Sequence, residues 1–259
     1  MMVSSNNLYL NHQANMKTMS EIQNSTEQSA NNSSLYFGGS SLTSGNWAGY
    51  VSKYSNFNSI QGSWVVQSIT TDFSGGPTAA QWMGIGGFSG TNLIQAGTIS
   101  MDTPFWGTYY RAFYELYPQS SPIYFRMTVK PGNIITASIS EVSTNYWHIE
   151  IKDITTIESY SGNFSFDPNQ QSAEWIEELP QGSSSLADFG TAEFGPYFTS
   201  QISNLANGNP ISFYNYYDVT IVNSSGATMA YPSPLVPGTG SHSQPPYFDS
   251  FSVSWVRGS

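Results

Sequence analysis

From about residue 44 to the C-terminus, apolar and polar residues alternate in short runs, and Gly, Pro, Asn and Ser separate the runs. A period of two marks strands with one buried face, and turn residues at such short spacing predict an antiparallel all-β chain. Candidate strands are SIQGSWVVQSI at 59–69, YWHIEIKDIT at 146–155, SAEWIEEL at 172–179 and the terminal YFDSFSVSWV at 247–256. AQWMGIGGF at 80–88 and TNLIQAGTIS at 91–100 read as a hairpin about Ser89-Gly90, and PIYFRMTV and NIITASIS flank a turn at Pro131-Gly132. In 108–118 one face carries Tyr109, Arg111, Phe113, Glu115 and Tyr117, and the other Tyr110, Ala112, Tyr114 and Leu116. Helix is expected only near 199–207, and no internal repeat is visible. Residues 1–43 are rich in Ser, Asn and Gln with few large apolar residues, so they are expected to form a polar, flexible extension, a candidate propeptide remnant. The expected fold over 44–259 is an all-β sandwich of two curved antiparallel sheets, of the concanavalin or jelly-roll type.

Composition narrows the chemistry. Only 9% of the 259 residues are charged, against about 25% ordinarily, so solubility rests on Ser, Thr, Asn, Gln, Gly and Tyr. The formal charge is −10, from 7 Lys and Arg against 17 Asp and Glu, which argues against a nucleic-acid surface. With so few strong bases the chain does not become a self-repelling polycation in acid, which suits an acidic, extracellular habitat. No cysteine is present, which excludes thiol catalysis and cysteine-metal sites. No segment carries the roughly 18 consecutive apolar residues of a membrane span. The polar N-terminus shows no apolar signal core.

The three histidines, His12, His148 and His242, form no metal-ligand pair, and no HExxH is present, so no metal or cofactor is expected. His148 lies in a plain alternating strand, and no GxSxG elbow accompanies it. Asp72-Phe-Ser-Gly and Asp102-Thr-Pro do not fit the paired loops of aspartic peptidases. Carboxylate and amide chemistry remains: a Glu as proton-transfer group and a Gln to hold an oxyanion would make a minimal hydrolytic site. Composition does not say which Glu or which Gln.

Five blocks in order carry a resemblance. Ser44-Gly-Asn-Trp-Ala-Gly-Tyr50, Gln81-Trp-Met-Gly-Ile-Gly-Gly87, Leu93-Ile-Gln-Ala-Gly97, Tyr114-Glu-Leu-Tyr-Pro118 and Ala173-Glu-Trp-Ile-Glu-Glu178 together resemble the glutamic peptidases, or eqolisins. The resemblance implies a bent β sandwich with the active site on its concave face, and secreted, acid-active endopeptidases insensitive to pepstatin. It maps the catalytic glutamine to Gln95 and the catalytic glutamate to Glu174. Glu174, as a carboxylate, would take a proton from the attacking water, while Gln95 orients the water and donates to the oxyanion. Activity would then fall at extreme acidity and again near neutrality, there through loss of structure or of other protonated acids. Trp82 maps to a residue lining the cleft, Glu115 to one shaping the substrate subsites, and Trp47 to an Asn-Trp near the mature start. Glu115 could equally pair with Arg111 on its own strand face, and Glu177 and Glu178 read as a solvated turn. Gly86 and Arg111 stand where best-known members have Asp, so subsite preferences do not transfer. Expected partners are protein and peptide substrates, with no nucleic acid and no membrane, and the chain is expected to be monomeric. Two other readings compete: a carbohydrate-binding module using Trp82, Trp106 and Trp147, and a glycosidase using Glu115 and Glu174. Gln95 discriminates, since sugar hydrolysis has no evident need of it.

Overall fold

Alternation governs the architecture, because each strand must bury one face. In a computed structural model, residues 39–238 and 248–259 are described. In chain order the strands are β1 Ser40–Ser44, β2 Trp47–Lys53, β3 Ser59–Val65, β4 Thr78–Gly86, β5 Leu93–Thr103, β6 Gly107–Tyr117, β7 Ile123–Tyr124, β8 Ile134–Ser143, β9 Tyr146–Asp153, β10 Glu158–Ser165, β11 Ser172–Glu178 and β12 Thr191–Phe194. A four-residue helix, α1, Pro196–Thr199, precedes β13 Leu205–Ala206, β14 Asn209–Pro210, β15 Asn215–Val222, β16 Thr228–Pro232 and β17 Phe251–Trp255.

The ladders form two facing layers. The front layer runs β1-β15-β2-β11-β4-β5-β6-β7, antiparallel except for the parallel β1–β15 pair. The back layer runs β10-β9-β8-β3-β12-β17-β16. The layers are continuous through β15–β16, where the register slips between Ile221 and Val222. Between them lies the main core, with Tyr50, Met83, Ile85, Ile94, Tyr114 and Trp175 from the front and Trp64, Ile135, Ile149, Phe194 and Phe251 from the back.

The opposite residues of the front strands make a second apolar cluster on the outer face: Trp47 and Val51 of β2, Ile176 of β11, Ala80 and Trp82 of β4, Leu93 and Ile99 of β5, Phe113 and Tyr117 of β6. The two faces of β6 fall as the alternation predicts. Gly97 makes room for this cluster. A Cβ there would stand 2.3 Å from the Gln81 carbonyl oxygen and 2.5 Å from the Trp82 Cβ.

Three expectations are corrected. The first strand begins at Ser40 and pairs with β15, so the sheet starts four residues ahead of the composition boundary at Ser44; the earlier part of the expected extension lies outside the described residues, as do His12 and His242. Segment 199–207 is not a helix. Ser200, in the left-handed region at φ 57°, closes α1, and Asn204 ties the chain across by accepting from the Ser63 amide and donating to the Asp249 carbonyl. Segment 122–129 has only the two-residue β7 as strand. Its alternation buries Phe125, Met127 and Val129 in the core as the chain passes between layers, without a partner strand beyond Tyr124.

Gly97→Ala should destabilise by about 2 kcal/mol or more, the scale of overpacking against backbone. Equilibrium urea unfolding checks this, and an unchanged midpoint would mean that Trp82 has slack above Gly97.

Candidate active site

Four adjacent strands place the candidate catalytic groups in one row. In the ladder register Glu174 of β11 opposes Gly84 of β4, Gly84 opposes Gln95 of β5, and Gln95 opposes Glu115 of β6. Residues directly opposite share a sheet face, so Glu174, Gln95 and Glu115 all lie on the outer face. Glycine at 84 leaves a gap between the first two. A Cβ there would stand 2.8 Å from the Ile94 carbonyl oxygen and from Leu93 Cδ1. Glu174 and Gln95 thus flank a position without a side chain, their Cα atoms roughly 10 Å apart, two strand spacings.

Gln95 Nε2 donates to Glu115 Oε2 at 2.6 Å, which holds the amide in one orientation. Among the described residues Gln95 Oε1 has no hydrogen-bond partner. Both oxygens of the fully buried Glu174 carboxyl also lack a partner at hydrogen-bond geometry. An orphaned buried acceptor is costly unless water or ligand meets it or the group holds its proton. Burial pushes the Glu174 pKa well above the usual carboxylate range, and the nearby Ser172 hydroxyl and Phe88 amide counter only part of this. Burial thus favours the protonated form of Glu174.

Gln95 and Glu115 border a cleft of about 480 Å³ whose apolar wall includes Ala80, Ile99, Met101, Phe113 and Tyr117. Glu178 also borders it. Alternation along β11 puts Glu174, Ile176 and Glu178 on the outer face, so Glu178 is within reach of sequence reasoning. The expected solvated turn at Glu177 and Glu178 is not found. Both are buried in β11, because β2 and β4 cover the two edges of that strand. Glu178 accepts from Trp82 Nε1 at 2.8 Å and from Asn46 Nδ2 at 3.1 Å. Glu177 points into the sandwich core and accepts from Gln67 Nε2 at 2.8 Å. Trp82 and Trp47 meet edge to face at 5.1 Å. Neither borders the cleft; they brace Glu178, which does. Arg111 does not bridge to Glu115: it lies over the Tyr109 ring and contacts the Phe125 carbonyl oxygen.

The same geometry disfavours the competing readings. Of the three tryptophans in the carbohydrate-binding reading, Trp82 and Trp147 are buried and offer no face to a sugar, while Trp106 is exposed. Glu115 and Glu174 stand three strand spacings apart, roughly 14 Å between Cα atoms, with Gln95 between them.

Four carboxyls share the raised range. Burial and the charge of Glu178 lift Glu115 to about 8, against the Gln95 hydrogen bond. Burial lifts Glu178 to about 7, against the Trp82, Trp47 and Asn46 donors, and burial also raises Glu177. Between the unfolded value of 4.5 and these values the folded state binds more protons than the unfolded one, so stability falls as pH rises through that window. Below it the stabilisation is fully present. Each group contributes at most about 1.4 kcal/mol per pH unit. The melting temperature should therefore be flat below about pH 4 and fall steeply from about pH 5 to 8. Glu178→Gln, which keeps an acceptor for Trp82, should make that fall shallower. Equal slopes in parent and variant would mean that Glu178 titrates as an ordinary carboxylate.

Comparison with known proteins bears on the family and the fold. The model of the Peptidase A4 family matches residues 45–229. Aspergillopepsin-2 of Aspergillus niger is 28% identical over 177 residues, covering 58% of this chain and 62% of that protein, so less than two thirds of that relative is spanned. Scytalidopepsin B of Scytalidium lignicola is 28% identical over 206 residues, covering 71% and 76%. Among solved structures, scytalido-glutamic peptidase with a transition state analog inhibitor superposes with a TM-score of 0.62 at 22% identity, covering 82% of this chain and 98% of that one. Aspergilloglutamic peptidase from Aspergillus niger superposes with a TM-score of 0.52 at 24% identity, covering 70% and 99%. At these identities the superpositions speak for the fold, a two-layer β sandwich. The family match spans most of the chain and includes Trp47, Trp82, Gln95, Glu115 and Glu174, and the chain belongs to the Peptidase A4 family.

Proposed function

We propose that this chain is an acid-acting glutamic endopeptidase that hydrolyses peptide bonds by direct addition of water, with Glu174 and Gln95 as its catalytic pair. The observation that carries the reading is their placement: a fully buried carboxyl and a fixed amide on one sheet face, separated only by Gly84. Protein and peptide substrates would lie along the adjoining cleft. The low charge and the raised carboxyls support work in an acidic extracellular setting, without pepstatin sensitivity, since no paired-aspartate site is involved.

The chemistry follows from a neutral Glu174. Its O–H donates to the scissile carbonyl oxygen while its other oxygen takes a proton from the attacking water. The water oxygen bonds to the carbonyl carbon, and a neutral tetrahedral diol results. Gln95 has one N–H engaged by Glu115, which leaves a second N–H to donate to the developing oxyanion and Oε1 to accept from the water. In the second step the C–N bond breaks, Glu174 gives a proton to the leaving nitrogen, and a diol hydroxyl returns one to Glu174. Acid then protonates the released amine. On this account the neutral-side loss of activity comes from ionisation of Glu174 itself.

Glu174→Gln and Gln95→Ala should each lower kcat/KM on an unfolded protein substrate by about 10² or more, with near-ultraviolet dichroism unchanged. Assays from pH 2 to 7 with pepstatin present check this. Cleavage that survives either substitution would assign the chemistry to other residues.

A further inference from the structure

The β5–β6 hairpin that carries Gln95 and Glu115 ends in an exposed aromatic tip. Phe105 is 90% exposed and Trp106 88%, and Phe73 of the neighbouring loop is 56% exposed. Phe73 lies beside the hairpin tip, since a Cβ on Gly107 would lie 3.5 Å from its ring. Phe105 and Phe73 both adopt left-handed backbone, at φ 74° and 61°. Such backbone is strained for a bulky residue and persists only when its surroundings hold it.

Those surroundings are well fastened. Asp102 accepts from the Thr71 hydroxyl and from the Gly75 amide, its own amide donates to the Pro77 carbonyl, and its carbonyl accepts from the Gly76 amide. The Pro104 ring fills the space beside Gly75, within 2.4 Å of where a Cβ would stand. Thr103 Oγ1 donates to the Gly107 carbonyl at 2.5 Å across the turn. The aromatic groups are thus displayed on two interlocked loops. A rigid apolar surface loses little conformational entropy when it is covered.

The patch continues the cleft. Gln95, Ile99, Met101 and Thr103, alternate positions of one strand, all border the cavity, as do Asp102 and Gly76 at the patch itself. From Gln95 to Thr103 is eight residues of β5, about 26 Å at 3.3 Å per residue. Phe105 and Trp106 lie two and three residues beyond Thr103, so an extended polypeptide lying along the cleft with its reacting bond at Gln95 would reach them about ten residues away.

We propose that Phe73, Phe105 and Trp106 form an accessory binding surface for unfolded polypeptide substrates, taking apolar side chains about ten residues from the cleaved bond. The inference rests on the peptidase reading above. It makes the enzyme selective for long, unfolded chains over short peptides, through KM rather than kcat. No titratable group acts in it.

The test compares the parent with Phe105→Gly/Trp106→Ser, in which glycine suits the left-handed position and the fold is spared. Two substrates are used at acid pH: a peptide of about six residues, roughly 20 Å when extended, and an unfolded protein containing the same cleavage site. The ratio of kcat/KM for the long substrate to that for the short one should fall about tenfold in the variant, the scale of removing two aromatic side chains from a binding surface, with kcat on the long substrate held. A binding readout runs beside it: in Glu174→Gln protein, unfolded polypeptide should shift Trp106 emission to the blue. An unchanged ratio, or an unshifted emission, would overturn the proposal. So would self-association of the parent that the variant loses, which would assign the patch to a second copy. If the parent cuts neither substrate, the peptidase reading itself fails.

Discussion

The burial of β11 is the constraint on which the rest depends. That strand is hydrogen-bonded on both edges, to β2 and to β4, so all seven of its residues are buried, and three of them are glutamates. A glutamate in the middle of a sheet can keep its charge only at a high desolvation cost. Each one therefore takes a neutral form, a dedicated donor, or both. Glu178 has Trp82 and Asn46, Glu177 has Gln67, and Glu174 has no partner at hydrogen-bond geometry. The same desolvation that raises the Glu174 pKa also raises those of Glu177 and Glu178, which ties the stability of the front sheet to pH.

Two glycines translate that arrangement into a usable site. Gly84 separates Glu174 from Gln95, and Gly97 lets Trp82 lie flat enough to reach Glu178. The indoles of Trp47 and Trp82 then serve as a floor beneath the cleft rather than a wall within it. Glu115 fixes Gln95 from the far side, so the amide is oriented before any substrate arrives. Such preorganisation is what electrostatic stabilisation of an oxyanion needs. The cleft wall beyond this point is mainly apolar, and it runs along β5 to the hairpin tip.

Much of this is legible in the sequence because strand alternation is local. The two faces of 108–118, the hairpin at 80–100 and the shared face of Glu174, Ile176 and Glu178 all follow from counting by two. What is not legible depends on partners far along the chain. Nothing in SAEWIEEL says that both its edges are covered, so Glu177 and Glu178 read as a solvated turn. PIYFRMTV alternates because it buries Phe125, Met127 and Val129 while crossing between layers, and alternation alone cannot tell such a crossing from a paired strand. The indoles of Trp47 and Trp82 can be placed near the site by motif, but whether they face the cleft or support it is decided by Asn46 and Glu178, on different strands and loops. The upward shift of the Glu174 pKa is hidden for the same reason, since it is set by burial and not by neighbours in sequence.

The central claim is that Glu174 holds its proton where ordinary glutamates have lost theirs. The direct measurement is a pH titration of side-chain carboxyl ¹³C resonances in protein labelled at glutamate, with Glu174→Gln assigning the signal. The account predicts a Glu174 signal still in the protonated position at a pH where ordinary exposed glutamates have ionised. A Glu174 signal that moves together with those of the exposed glutamates, near the ordinary value of about 4.3, would contradict it.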